Sequence, residues 1–69
     1  MRIGQLVKLK PFTEIYFSDP HHGTVRYVNK CKNCYCIFLG YTDYDETCDV
    51  LLDGDVGYNV SPLDLEEVS

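Results

Sequence analysis

The stretch Thr47-Cys48-Asp49-Val50-Leu51-Leu52-Asp53-Gly54-Asp55-Val56-Gly57-Tyr58-Asn59-Val60-Ser61-Pro62-Leu63-Asp64-Leu65-Glu66-Glu67-Val68 decides the fold of this chain. Cys48, Val50 and Leu52 alternate with Asp49, Leu51 and Asp53, the period of a half-buried strand. Asp53-Gly54 is a hairpin signal, because a type I′ turn needs positive φ at both central positions and glycine tolerates it. Val56, Tyr58 and Val60 then fall on one face of a return strand, alternating with Gly57, Asn59 and Ser61. Ser61 before Pro62 reads as an N-cap with proline at the first helical position, and Asp64 follows in the first turn. Only one helical turn fits before a last short strand at Glu66-Glu67-Val68. Leu63, Leu65 and Val68 are expected to plug the open end of a small antiparallel barrel.

Working back from this segment, Val7 and Leu9 alternate with Lys8 and Lys10 in a first strand that Pro11 ends. Residues 12–22 read as a long loop, since Asp19-Pro20 favours a turn and Gly23 supplies freedom where the chain reverses. Phe12, Ile15, Tyr16 and Phe17 are too apolar for a free loop, so part of it is expected to fold back over the barrel. Gly23–Val28 is the second strand, with Val25 and Tyr27 on one face, and Asn29-Lys30-Cys31-Lys32-Asn33 is polar and turn-prone. Cys34–Tyr41 is a strand with two apolar faces: Tyr35, Ile37, Leu39 and Tyr41 on one, Cys34, Cys36 and Phe38 on the other. One face must be core. The other is expected to lie under the long loop or another chain. Thr42-Asp43-Tyr44-Asp45-Glu46 reads as an acidic turn.

The chain has 69 residues, which fits one domain over residues 1–69 with a modest core. Domains this small often add a metal, disulfides or a partner subunit. Six tyrosines and three phenylalanines help instead by burying large area. The net charge is −5, with the acidic residues crowded toward the C-terminal half, which disfavours non-specific binding to nucleic acid. That half suits a basic partner, while the plainer reading is a self-repelling, solvated surface. Met1-Arg2-Ile3-Gly4-Gln5 carries no apolar leader, and no run approaches the ~18 residues of a membrane span. Without export, structural disulfides are not expected.

Cysteine provides the sharpest candidate chemistry. Cys31-Lys32-Asn33-Cys34-Tyr35-Cys36 is C-x2-C-x-C, with Cys48 downstream, and a tetrahedral zinc site is built from such thiolates. A zinc ribbon would need a second C-x2-C, however, and Cys48 stands alone. The plainer reading makes Cys36 and Cys48 small buried hydrophobes, with Cys31 and Cys34 ordinary thiols. No cofactor is expected, and zinc at Cys31, Cys34, Cys36 and Cys48 is the alternative. His21-His22 reads as an exposed turn, because adjacent side chains in an extended segment point apart. Asp43, Asp45, Glu46 and Asp49 lack the spacing and central glycine of a calcium loop. No nucleophile has a positioned base and no Gly-rich phosphate loop is present, so the sequence predicts no enzyme. Tyr16, Tyr41, Tyr44 and Tyr58 are candidates for an aromatic surface.

Gly4-Gln5-Leu6-Val7-Lys8, Gly23-Thr24-Val25, Cys48-Asp49-Val50-Leu51-Leu52-Asp53-Gly54 and Ser61-Pro62-Leu63-Asp64-Leu65-Glu66 occur in an order that resembles small SH3-like β-barrel proteins of tailed phages. The resemblance spans most of the chain apart from residues 11–22 and 31–46. It implies an all-β, five- to six-stranded barrel with one short 3-10 turn near the C-terminus. It also implies a non-enzymatic interaction module, a small accessory or structural part of a virion head, neck or tail. The implied location is the virion or host cytoplasm. Partners would then be other virion subunits or another protein, in an oligomer or hetero-complex, with neither nucleic acid nor membrane bound directly. Tyr16, Phe17, Tyr35, Ile37, Phe38, Leu39 and Tyr41 are the expected partner-binding residues. Two alternatives are an acidic regulator or inhibitor seated on a basic surface of a host protein, and a zinc-stabilised module.

Overall fold

The computed structural model describes residues 1–42 and 47–68. The strands are β1 (Leu6–Leu9), β2 (Glu14–Asp19), β3 (Gly23–Val28), β4 (Cys34–Tyr41), β5 (Cys48–Leu52), β6 (Asp55–Val60) and β7 (Leu65–Glu67), with a 3-10 turn at Pro62–Asp64. They form one antiparallel sheet in the order β3-β2-β6-β5-β4-β1-β7. The all-β class and the 3-10 turn agree with the sequence. The closed barrel of five or six strands does not: seven strands make an open sheet whose edges are β3 and β7.

The extra strand comes from residues 12–22. Glu14 to Asp19 pair residue by residue with Val28 to Gly23, so most of the expected loop is one arm of a hairpin. Only its tip turns: the backbone N–H groups of His21 and His22 donate to Asp19 Oδ1 at 2.7 and 3.1 Å. The hairpin joins β6 through two residue pairs, Tyr16 with Tyr58 and Phe17 with Gly57. Gly57 is required there, because the Ile15 side chain occupies the space a Cβ would take.

One face of the sheet is the core. Val7, Leu9, Ile15, Cys36, Phe38, Cys48, Val50, Leu52, Val60 and Leu65 form a single buried cluster drawn from six strands. The sheet rolls around this cluster, and Asn29 ties the roll. Asn29 follows edge strand β3, yet its Nδ2 donates to the carbonyls of Leu9 and Lys10 at the end of β1, at 3.3 and 3.0 Å. It also donates to the Cys31 carbonyl and accepts from the Cys31 N–H. A fully buried amide with all these partners is a strut, because an unpaired polar group there would be costly.

Irregularities adjust which residues face inward. β4 and β5 slip between Phe38 and Gly40, where Gly40 has φ +132°, so Tyr41 pairs with the buried Cys48. Its ring meets Phe38 edge-on at 5.1 Å. β5 and β6 slip again before Val60, where Asn59 has φ +60°. Gly57 and Val60 therefore face inward, and Val56 and Tyr58 do not share the face of Val60 as strict alternation predicts. The Asp53-Gly54 turn has φ of +52° and +83°, as a type I′ turn requires. At the C-terminus Leu65 is buried, but Leu63 is 82% and Val68 38% exposed, so Leu65 alone of the three expected plug residues serves. Ser61 occupies the N-cap position without a side-chain hydrogen bond; the turn is closed by the Asp64 N–H donating to the Ser61 carbonyl at 2.9 Å. The acidic turn at residues 43–46, with Tyr44 and three of the considered calcium-binding carboxylates, lies outside the described residues.

Candidate interaction surface

The face of the sheet opposite the core carries a cross-strand apolar row. Leu6 pairs with Ile37, Ile37 with Leu51, and Leu51 with Val56, so these four side chains stand side by side over four adjacent strands. Leu6 and Val56 are 44% and 52% exposed, and Ile37 and Leu51 between them are half-buried by their neighbours. Tyr58 follows Val56 on the same face and pairs with Tyr16, the two rings 6.4 Å apart. A hydrogen bond of 3.0 Å between Tyr58 OH and Thr24 Oγ1 fixes the phenol. Tyr35, half exposed, stands beside Lys8, which pairs with Glu66. At the other end Arg26 and Glu14 form an exposed ion pair at 3.2 Å. An apolar and aromatic band rimmed by charges is the usual make-up of a protein-binding patch.

The seven expected partner-binding residues do not stay together. Tyr16, Tyr35 and Ile37 lie on this outer face. Leu39 sits half-buried at the slip between β4 and β5. Phe38 is 1% exposed at the centre of the core, a correction that follows from the cysteine face of β4 being the inner one. Phe17 also faces inward, opposite Gly57, and Tyr41 is drawn to Phe38 by the slip. Leu6, Leu51 and Val56 complete the row and were missed by sequence reasoning. Their signal was the register: Leu51 breaks the polar alternation of β5, which makes sense once it stands next to Ile37.

The long loop does not cover this face. Its residues Glu14–Asp19, as β2, lie beside β6 and extend the sheet toward β3 instead.

The four cysteines are free. Cys36 and Cys48 are buried in the core, and Cys48 Sγ donates to the Val60 carbonyl at 3.3 Å. Burial pushes both thiols up to about 11. Burial also raises the Cys34 thiol, with smaller contributions from Cys31 and Asp53 nearby. Among the described residues no three His, Cys, Asp or Glu side chains are placed to hold a metal ion. His21 and His22 lie exposed at the hairpin tip, where His22 Nδ1 approaches Asp19 Oδ1 at 3.5 Å. These two backbone bonds and His22 hold the Asp19 carboxyl below its ordinary value. No helix among the described residues is long and apolar enough to cross a membrane.

On the inner side a groove of about 310 Å³ opens between the β2–β3 hairpin and the β5–β6 turn. Phe17, Tyr27, Cys34 and Leu52 form its walls, with Asp53 and Asp55 among its lining residues.

Comparison with protein families, curated proteins and solved structures found no match to this chain.

Proposed function

We propose that this chain is a non-enzymatic protein–protein interaction module of the SH3-like kind, with the outer face of its sheet as the docking surface. The observation that carries this reading is the row Leu6, Ile37, Leu51 and Val56, apolar across four strands and open to solvent. A solvated sheet face is ordinarily polar, so such a row exists at a cost in solubility unless something covers it. The SH3-like reading is supported by the order of elements, in which a hairpin follows the first strand and a 3-10 turn precedes the last. The virion setting implied by the phage resemblance belongs to the same proposal.

Affinity capture from the native source tests it. The tagged chain is expected to bring down a discrete protein, and Leu51→Lys to lose it while melting within a few degrees of the parent. Capture of no partner, or of the same partner by Leu51→Lys, would overturn the reading. If the partner is a coat, neck or tail protein, the chain is also expected in purified particles by mass spectrometry; its absence there would overturn the virion setting.

A further inference from the structure

The groove on the inner side is chemically unlike the outer face. Its walls are mainly apolar, and two of them are aromatic: Phe17 and Tyr27 meet edge to face with centroids 6.3 Å apart. Asp53 and Asp55 contribute carboxylates and are exposed. Among the described residues neither carboxylate has a cation within ion-pair distance; the ion pairs present are at Glu14, Asp19 and Glu67. Lys30 and Lys32 flank Cys31 in the neighbouring turn but do not line the groove. The buried Asn29 at its floor has its amide committed to backbone partners, leaving it none to offer a ligand. The site thus presents aromatic rings and two carboxylates without an ion-pair partner, and no cationic side chain lines it.

A group that fits must be cationic and must carry an apolar or planar body. Aromatic faces attract such cations, and carboxylates hold a guanidinium or ammonium head. The volume lies at the low end for ligand sites, which are about 300–1,000 Å³, and suits one inserted side chain. The position of the groove says how that side chain arrives. Tyr27 belongs to β3, an edge of the sheet, and five of the six β3 residues are exposed. An edge strand offers unpaired backbone N–H and C=O groups to an extended segment. The opposite edge, β7, is only three residues long and carries Glu66 and Glu67, which blunts it.

We infer that the groove is a binding site for an arginine or lysine side chain of a partner protein, delivered by an extended basic segment lying along the free edge of β3. The site faces away from the Leu6–Val56 row, so it stands or falls separately from the docking surface proposed above.

Amide NMR of the isotope-labelled full chain tests it, using the peptide acetyl-Gly-Arg-Gly-amide and its neutral citrulline counterpart. With the arginine peptide, shifts are expected at Tyr27, Cys34, Leu52, Asp53 and Asp55 and along β3. Binding is expected to weaken about fivefold to tenfold with citrulline, and by a similar factor in Asp53→Asn/Asp55→Asn. Asparagine suits the positive φ at position 53, so the hairpin is preserved and the melting temperature should hold. Tyr27→Leu, which keeps the wall apolar, is expected to weaken arginine binding but not to change the citrulline response. Leu51→Lys on the outer face is expected to leave arginine binding intact, which separates failure of this site from failure of the docking surface. Equal response to both peptides, shifts scattered over the acidic surface, or an unaltered affinity in the double variant would overturn the inference.

Discussion

Ile37 and Phe38 are neighbours in β4, both strongly apolar, and they meet different fates. Phe38 is buried at 1% exposure in a cluster drawn from six strands, whereas Ile37 remains half-buried on the opposite face. The same contrast runs along β5, where Val50 is sealed and Leu51 is not. The inner face is explained by folding: removing those side chains from water stabilises the domain. The outer face gains less, since its row is only partly removed from water. Hydrophobicity without full burial is the feature left for a partner to use.

The contrast breaks most readily at the core. Phe38→Ala is expected to cost about 3–5 kcal/mol, and Leu51→Ala on the outer face about 1 kcal/mol or less, by urea denaturation. Equal losses at the two positions would mean that both faces are core. Asn29→Ala comes next, at about 1–3 kcal/mol, because it strands the carbonyls that the amide satisfies. Its loss should also loosen the groove, seen as faster amide exchange at Cys31 and in the β2–β3 hairpin. A neutral outcome would remove Asn29 as the tie between the ends of β1 and β3.

A smaller effect sharpens the inner face through its thiols. Cys36 and Cys48 hold their protons up to about 11, against 9.0 for an ordinary thiol. The folded chain therefore binds more protons than the unfolded one between those values. Stability from this source is complete below pH 9.0 and is lost as pH rises through about 11. Cys36→Ala/Cys48→Ala is expected to be less stable at neutral pH but to lose stability less steeply across that window. An identical alkaline slope would contradict the burial of the two thiols.

Much of the inner face was legible in the sequence. Alternation located β1, β3, β4 and β5, and Asp53-Gly54 located the hairpin, because each depends on local backbone preference. What stayed hidden depended on distant pairing. β2 was obscured because Asp19-Pro20 and Gly23 signal a turn, while the pairing of Glu14 with Val28 requires a strand on the far side of that turn. The slips at Gly40 and Asn59 interrupt an alternation that runs through them unbroken in the sequence, and so Tyr41 and Val60 changed neighbours. Asn29 looked like a turn residue, since nothing local marks an amide that reaches the end of β1. The row on the outer face needed three registers at once before Leu6, Ile37, Leu51 and Val56 became one surface.

The central claim is that two adjacent apolar residues serve two different ends, and Ile37→Lys beside Phe38→Lys tests it most directly. Each variant is examined for its thermal transition and for recovery of the captured partner. The account predicts that Phe38→Lys has no cooperative transition, whereas Ile37→Lys melts within a few degrees of the parent and fails to recover the partner. Unfolding of Ile37→Lys would contradict it by making the outer face a second core, and a folded Ile37→Lys that still binds the partner would contradict it by making that face idle.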